Sequence, residues 1–407
     1  MATPKLRFKE FDGGWTSKKL KDLTDVLRCG VASTPKYVTE GGYPFLSAQN
    51  VSRDGEMNYS KVNNISNDFY KRISKTKLVK GDILYSRVGA SYGVAAIFDK
   101  EEEYGVYVSL THIRANQNLD NIFLKHFLNS PKARIQAEQG VFQGGGVQNL
   151  NVGVVEEFNL AFPSKIEQTK IASFLSTVDE KISQLTQKYQ LLSQYKQGMM
   201  QNLFSQQIRF KADDGSEFGE WKDKPLNEIA SKRSGKNKDG SISEVLTNSA
   251  TQGIIKQSDY FEREIVTKSN LNGYYIVNLD DFVYNPRISV HAPVGPIKRN
   301  KKCLGVMSPL YTVFTVIQGN LKYLEYFFDS NFWHDYVKGV ANSGARHDRM
   351  NITNKDFFDM PILYPCLEEQ TKIANFLSAI DQKIEVVAQQ IEQAKTWKKG
   401  LLQQMFV

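Results

Sequence analysis

Two arginines stand just beyond short apolar runs in this 407-residue chain. Arg87 closes Lys80-Gly81-Asp82-Ile83-Leu84-Tyr85-Ser86, and Arg287 closes Leu279-Asp280-Asp281-Phe282-Val283-Tyr284-Asn285-Pro286. Each run reads as a turn feeding a short strand. An arginine at such a strand end could reach a guanine edge or a phosphate; its other use is a surface ion pair. A polar loop follows in each half, Gln143-Gly144-Gly145-Gly146-Val147-Gln148-Asn149 and Ser343-Gly344-Ala345-Arg346-His347-Asp348-Arg349. Glycines let backbone approach a partner closely, amide side chains match adenine, and guanidinium matches guanine. Gln143, Gln148, Asn149, Arg346, His347 and Arg349 therefore join Arg87 and Arg287 as candidate DNA contacts, against the plainer role of keeping a loop soluble. Basic runs at 69–80 and 298–302 add Lys71, Arg72, Lys298 and Arg299. A further pair of polar stretches, Ser47-Ala48-Gln49-Asn50 and Thr247-Asn248-Ser249-Ala250, follows apolar runs.

No catalytic constellation accompanies these residues. Gly235-Lys236 is followed by Asn237 and lacks the earlier glycine of a phosphate-cradling loop. Tyr284-Asn285-Pro286-Arg287 only partly matches the Asn-Pro-Pro-aromatic motif of amino-methyltransferases, and no cofactor-binding glycine loop goes with it. The five histidines and three scattered cysteines have no zinc spacing. No catalytic residue, metal or cofactor is expected in this chain. The cysteine pattern, the absence of a secretory leader and the absence of an 18-residue apolar run suggest a cytoplasmic protein with no membrane span. The formal charge of +8 suits a polyanionic partner.

These residues sit on a duplicated frame. Glu167-Gln168-Thr169-Lys170-Ile171-Ala172 recurs as Glu369-Gln370-Thr371-Lys372-Ile373-Ala374, and 18 of 42 aligned positions from Pro163 and from Pro365 are identical. Arg7-Phe8-Lys9 recurs as Arg209-Phe210-Lys211. Each repeated segment reads as a helix of about 40 residues, roughly 60 Å long. Its apolar residues step by four and three: Ile171, Leu175, Val178, Ile182 and Leu185 in the first copy, Ile373, Leu377, Ile380, Ile384 and Ile391 in the second. That period specifies a coiled-coil seam. It leaves parallel and antiparallel pairing open. Lys196 and Lys398 interrupt the seam at one register. A polar core residue can fix register, but the reading preferred from sequence is that each lysine tip reaches water past its own stem.

The fold expected is mixed α/β, in four segments: a first recognition domain at 1–162, a central helix at 163–206, a second recognition domain at 207–364 and a C-terminal helix at 365–407. The intervening blocks differ strongly while their flanks match, which suggests one scaffold carrying two specificities.

The chain resembles the specificity (S) subunit of type I restriction-modification systems. The resemblance rests on Thr34-Pro35 followed by Gly41-Gly42-Tyr43-Pro44-Phe45, on Gly81-Asp82-Ile83-Leu84, and most specifically on the duplicated helix start. The second block departs from the first: it has no Thr-Pro element and carries Ser308-Pro309-Leu310-Tyr311 instead. The resemblance implies two target recognition domains, each reading half of a bipartite double-stranded DNA site, with the helices forming an antiparallel coiled coil that sets the spacer. It also implies two modification subunits that use S-adenosylmethionine to methylate adenine, and two restriction subunits that use ATP and Mg2+. The competing readings are a protein-only coiled-coil adaptor and a methyltransferase or nuclease with an unrecognised active site.

Overall fold

The computed structural model describes residues 3–73, 77–140, 149–260, 268–342 and 348–407. The chain forms two compact units, Met1–Lys188 with Val387–Val407, and Tyr189–Val386. Each takes in one of the two dissimilar blocks and a piece of both long helices, the central helix Lys165–Phe204 and the C-terminal helix Leu367–Met405.

Each block has its own four-stranded sheet of the same strand order. In the first unit four strands lie in the order Thr24–Cys29, Leu110–Ala115, Ile83–Ser86, Ala95–Ile97. In the second the order is Ala230–Lys232, Thr312–Val316, Phe282–Tyr284, Ile297–Arg299. Both sheets are antiparallel throughout. The expected strands at Ile83 and Phe282 are thus inner strands, buried along their length. A two-stranded antiparallel ribbon closes each block, Thr16–Lys19 on Asn159–Phe162 and Lys222–Pro225 on Pro361–Tyr364. The blocks diverge in their outer parts. The first adds a four-stranded sheet that includes Tyr43–Leu46 and Asn63–Ile65, and the second adds two separate two-stranded ribbons.

The repeated Glu-Gln pair explains itself in three dimensions. Glu167 is 1% exposed and takes both Nε and Nη2 of Arg7 at 2.7 Å. Glu369 is fully buried and takes Nε and Nη2 of Arg209 at 3.0 and 2.7 Å, with Trp221 Nε1 at 2.9 Å. A buried carboxylate needs such a partner, because the cost of dehydrating it is large. The next residue does a second job. Gln168 accepts from the Asp120 amide and donates to the carbonyls of Asn118 and Pro163. Gln370 repeats this with the Asn320 amide and the Pro365 carbonyl. Asp120 and Asn320 in turn cap the helices Asn121–Leu128 and Leu321–Asp329.

The ten seam residues turn inward. Ile171, Leu175, Val178, Leu185, Ile373, Leu377, Ile380 and Ile391 are buried, and Ile182 and Ile384 pack against the cores. In the first unit the start of the central helix meets the end of the C-terminal helix: Ile171, Leu175 and Val178 share a core with Leu401, Leu402, Met405 and Phe406. In the second unit Met200, Leu203 and Phe204 share a core with Ile373, Leu377 and Ile380. Within each unit the two helix pieces therefore run antiparallel, which the heptads alone did not decide.

The seam lysines do not simply reach for water. Lys398 Nζ lies 2.5 Å from Asp179, and Lys196 Nζ lies 2.6 Å from Asp381. These lysines are 16% and 20% exposed and each is engaged by an aspartate of the other helix, so the snorkelling reading is corrected. The sequence pattern hides this because each aspartate lies on the other helix. The surroundings of the two pairs differ. Lys125 adds a second cation to Asp179 at 2.8 Å, whereas the Tyr326 hydroxyl donates to Asp381 at 2.6 Å.

Beside Lys125 lies His126, fully buried, with neither ring nitrogen hydrogen-bonded. Burial, and then the charge of Lys125, hold its pKa down to about 3. The folded ring stays neutral, while the unfolded chain takes up a proton once the pH is below about 6.5. Stability of the first unit is therefore expected to fall as the pH drops from about 6.5 towards 3, by an amount on the order of 3–5 kcal/mol. Urea denaturation at stepped pH checks this, and His126→Leu should flatten the slope in that window.

Candidate nucleic-acid interface

In the first unit three separate polar stretches converge. Ser47–Asn50 forms a tight turn whose Asn50 side chain, 3% exposed, accepts from the Ser47 amide and donates to the carbonyls of Asn58 and Lys61. Ser91, beyond the inner strand Ile83–Ser86, and Ser109, just before the strand Leu110–Ala115, hold Ala48: Ser91 Oγ donates to the Ala48 carbonyl, and the Ala48 amide donates to Ser109 Oγ. The third stretch returns beside Arg87, where the Leu150 amide donates to the Arg87 carbonyl at 3.0 Å. The turn and the Val88–Gly89 segment border a cleft of about 530 Å³, whose side chains include Tyr37, Gln49, Arg53, Lys61, Asn63 and Tyr107.

The second unit builds an equivalent junction from other residues. Asn248, 2% exposed, donates to the carbonyls of Val283 and Pro296, and Asn285 Nδ2 donates to the Asn248 carbonyl. The Met350 amide donates to the Pro286 carbonyl at 2.9 Å, matching the Leu150 bond of the first unit. Gly295 has φ +80°, and a Cβ there would sit 2.1 Å from the Asn285 carbonyl oxygen, so only glycine lets this turn close. A pocket of about 410 Å³ opens here, lined by Tyr284, Pro286, Leu310, Arg349, Asn351 and Asn354 among others.

The candidate contacts fall into distinct groups. Arg287 is exposed, 3.8 Å from Asp348, and forms a β-bridge with Arg349. Arg349 lines the pocket, and its buried Nε has no hydrogen-bond partner. Asn149 is exposed at the edge of the first junction. Gln143, Gln148, Arg346 and His347 lie outside the described residues. Arg87 is corrected: it is 8% exposed and spends its guanidinium internally, Nε on the Leu150 carbonyl at 2.6 Å and Nη1 on the Val108 carbonyl at 2.9 Å. It fixes the returning loop and is not presented to a ligand.

Several cations of the basic runs are engaged by carboxylates. Lys298 pairs with Asp329 at 2.5 Å, and Arg299 pairs with Asp280 at 2.7 Å beside Glu325 at 3.7 Å. Lys77 and Lys80 pair with Glu103 and Glu101. Lys71 and Arg72 remain exposed on the helix Asn67–Arg72, with Arg72 over the Phe69 ring. Neither lines the cleft. Sequence reasoning passed over Arg53, Lys61, Tyr37 and Asn63. For Arg53, Lys61 and Asn63 the only signal was a polar stretch after the Ser47–Asn50 turn, in which cations stand singly and not in a run.

The methyltransferase-like Asn285 uses its amide on Asn248 and accepts from the Arg287 amide. Among the described residues no group of three His, Cys, Asp or Glu side chains could hold a metal, and no helix is long and apolar enough to cross a membrane. Asp82 belongs to the scaffold. Burial pushes its pKa up, but Arg114, His112 and the Val79 amide outweigh that and bring it to about 2.

Arg87→Ala should cost about 2–4 kcal/mol by freeing two buried carbonyls, whereas exposed Arg287→Ala should change stability by less than about 0.5 kcal/mol. Thermal or urea unfolding of both variants distinguishes the internal arginine from the external one.

Comparison with known proteins places this geometry. Residues 12–194 and 219–396 match the family model described as the type I restriction modification DNA specificity domain. The chain is 27% identical over 423 aligned residues to a protein named as the specificity subunit of the type I restriction enzyme MjaX from Methanocaldococcus jannaschii, covering 98% of this chain and 94% of that one. It is 25% identical over 380 residues to the MjaVIII specificity subunit of the same organism, covering 89% and 85%. Its fold is similar to that of a type I restriction-modification S subunit from M. genitalium, with TM-score 0.56 and 17% identity over 100% of this chain and 99% of that one. A chain from a structural study of type I system assembly gives TM-score 0.53 and 14% identity over 97% and 98%.

Proposed function

The chain belongs to the type I restriction-modification DNA specificity family, and from that premise we propose that it reads an asymmetric, bipartite double-stranded DNA site for a methylating and cleaving complex. The segments 1–162 and 207–364 act as the recognition domains, one per half-site. One observation carries this reading: the two units share a four-stranded sheet order but surround it with different polar clefts. A common frame with unlike rims suits two unlike half-sites. Arg287, Arg349 and Asn149, with Gln143, Gln148, Arg346 and His347, are its candidate contacts. The chain supplies recognition and no chemistry. S-adenosylmethionine belongs to the modification subunits, and ATP and Mg2+ to the restriction subunits. The paired helices fix the spacing between half-sites.

Long-read mapping of N6-methyladenine in cells carrying this chain with its modification subunit tests the proposal. The expected motif is two different half-sites around a fixed run of unspecified bases. A palindromic or uninterrupted motif would sink it.

The helices and the segments leading into the blocks are the duplicated part, so they are the natural seats for two copies of one modification subunit. Support comes from an aromatic set found twice. Phe8 packs edge-on to Phe174, and Phe210 on Phe376, at 5.7 and 5.6 Å. One residue before each seam lysine stands an exposed aromatic, Trp397 at 54% and Tyr195 at 52%. Trp397→Ala and Tyr195→Ala are each expected to weaken binding of one modification subunit and spare the other. Native mass spectrometry of the assembled complex should show loss from two copies to one in each variant and to none in the double variant.

A further inference from the structure

The cations of the first unit are unevenly used. Those in the basic run around 77–80 are neutralised by glutamates. Arg53 and Lys61 make no ion pair among the described residues, both are exposed, and both line the 530 Å³ cleft. With them stand the exposed amides of Gln49 and Asn63 and the ring of Tyr37, 49% exposed.

The backbone beneath these side chains is held firmly. Gln49 sits within the turn that Asn50 locks from below, and the same Asn50 amide grips the Lys61 carbonyl. Arg53 sits in a hairpin closed by the Ser52 amide on the Glu56 carbonyl at 2.9 Å. Gly55 of that hairpin has φ +79° and packs so closely that a Cβ would lie 3.1 Å from the Ala95 carbonyl oxygen. Asp54 pairs with Lys395 at 3.4 Å. Opposite, Tyr107 shares a hydrogen bond with Thr34 at 3.2 Å. Rigid backbone under free polar tips lowers the ordering cost of binding.

Resting on the DNA-reading function above, we infer that this cleft is the direct-readout site of the first half-site, with Arg53 and Gln49 facing base edges and Lys61 facing a phosphate. The chemistry divides the roles. A guanidinium fork matches guanine O6 and N7, and a glutamine amide matches adenine N6 and N7. An ammonium is a point charge suited to phosphate and carries no sequence information. Tyr37 offers an apolar face to a thymine methyl. None of these residues belongs to the basic runs or to the glycine loop; Gln49 alone lies in a polar stretch that the sequence singled out.

The test uses the complete complex with its modification subunits. Arg53→Ala should lower affinity about ten- to hundredfold and broaden one position of one half-site in the methylation map, leaving the other half-site and the spacer intact. Arg53→Lys should broaden the same position, because it keeps the charge and loses the fork. Gln49→Ala should broaden a neighbouring position. Lys61→Ala should weaken binding to all sequences alike and reduce the salt slope by about one. Unchanged motifs in Arg53→Ala and Gln49→Ala, with wild-type thermal midpoints, would overturn the assignment while leaving the DNA-reading function standing. A wild-type complex that shows no motif at all would remove both. Arg349→Ala, altering only the opposite half-site, is the control that separates the two units.

Discussion

A carboxylate buried at the start of each long helix is the constraint on which the rest depends. Glu167 and Glu369 cannot be dehydrated alone, so each needs an arginine brought from the segment that leads into its block. That one requirement ties together the lead-in segment and the helix start. The adjacent glutamine adds a third by holding the cap of the short helix behind the sheet. Three residues, repeated, thus define where each block is attached. Everything attached beyond them is free to vary as long as the sheet order survives.

The variation follows that rule. Inner strands keep their place in both units, and the polar junction at their ends is rebuilt from different donors. Serines 91 and 109 hold one turn, and the amides of Asn248 and Asn285 hold the other. A reading surface that must change without unfolding the protein is well served by this division. The scaffold bonds lie under the turns.

Sequence alone revealed the parts whose order is local. The heptad steps of Ile171 to Leu185 and Ile373 to Ile391 correspond to buried faces, because helix periodicity needs no knowledge of the partner. The strands at Ile83 and Phe282 were legible from their turns. What failed depended on residues far away in the chain. Arg87 resembles a free arginine until the carbonyls of Val108 and Leu150 are placed beside it. Lys298 and Arg299 resemble a basic patch until Asp280, Glu325 and Asp329 fold against them. The cleft around Arg53 and Lys61 was invisible for the same reason, since its walls come from segments spread between Tyr37 and Ser109.

The seam ion pairs carry a consequence about ancestry. Each repeat contains both members of the pair, Asp179 with Lys196 in one and Asp381 with Lys398 in the other, yet each member bonds to the opposite repeat. A single repeat is therefore complementary to a copy of itself. Before duplication, such a repeat could have worked as a homodimer with two identical salt links and two identical reading heads, confined to targets with inverted symmetry. In one polypeptide each head can vary by itself while the self-complementary pairing within each unit stays as it is.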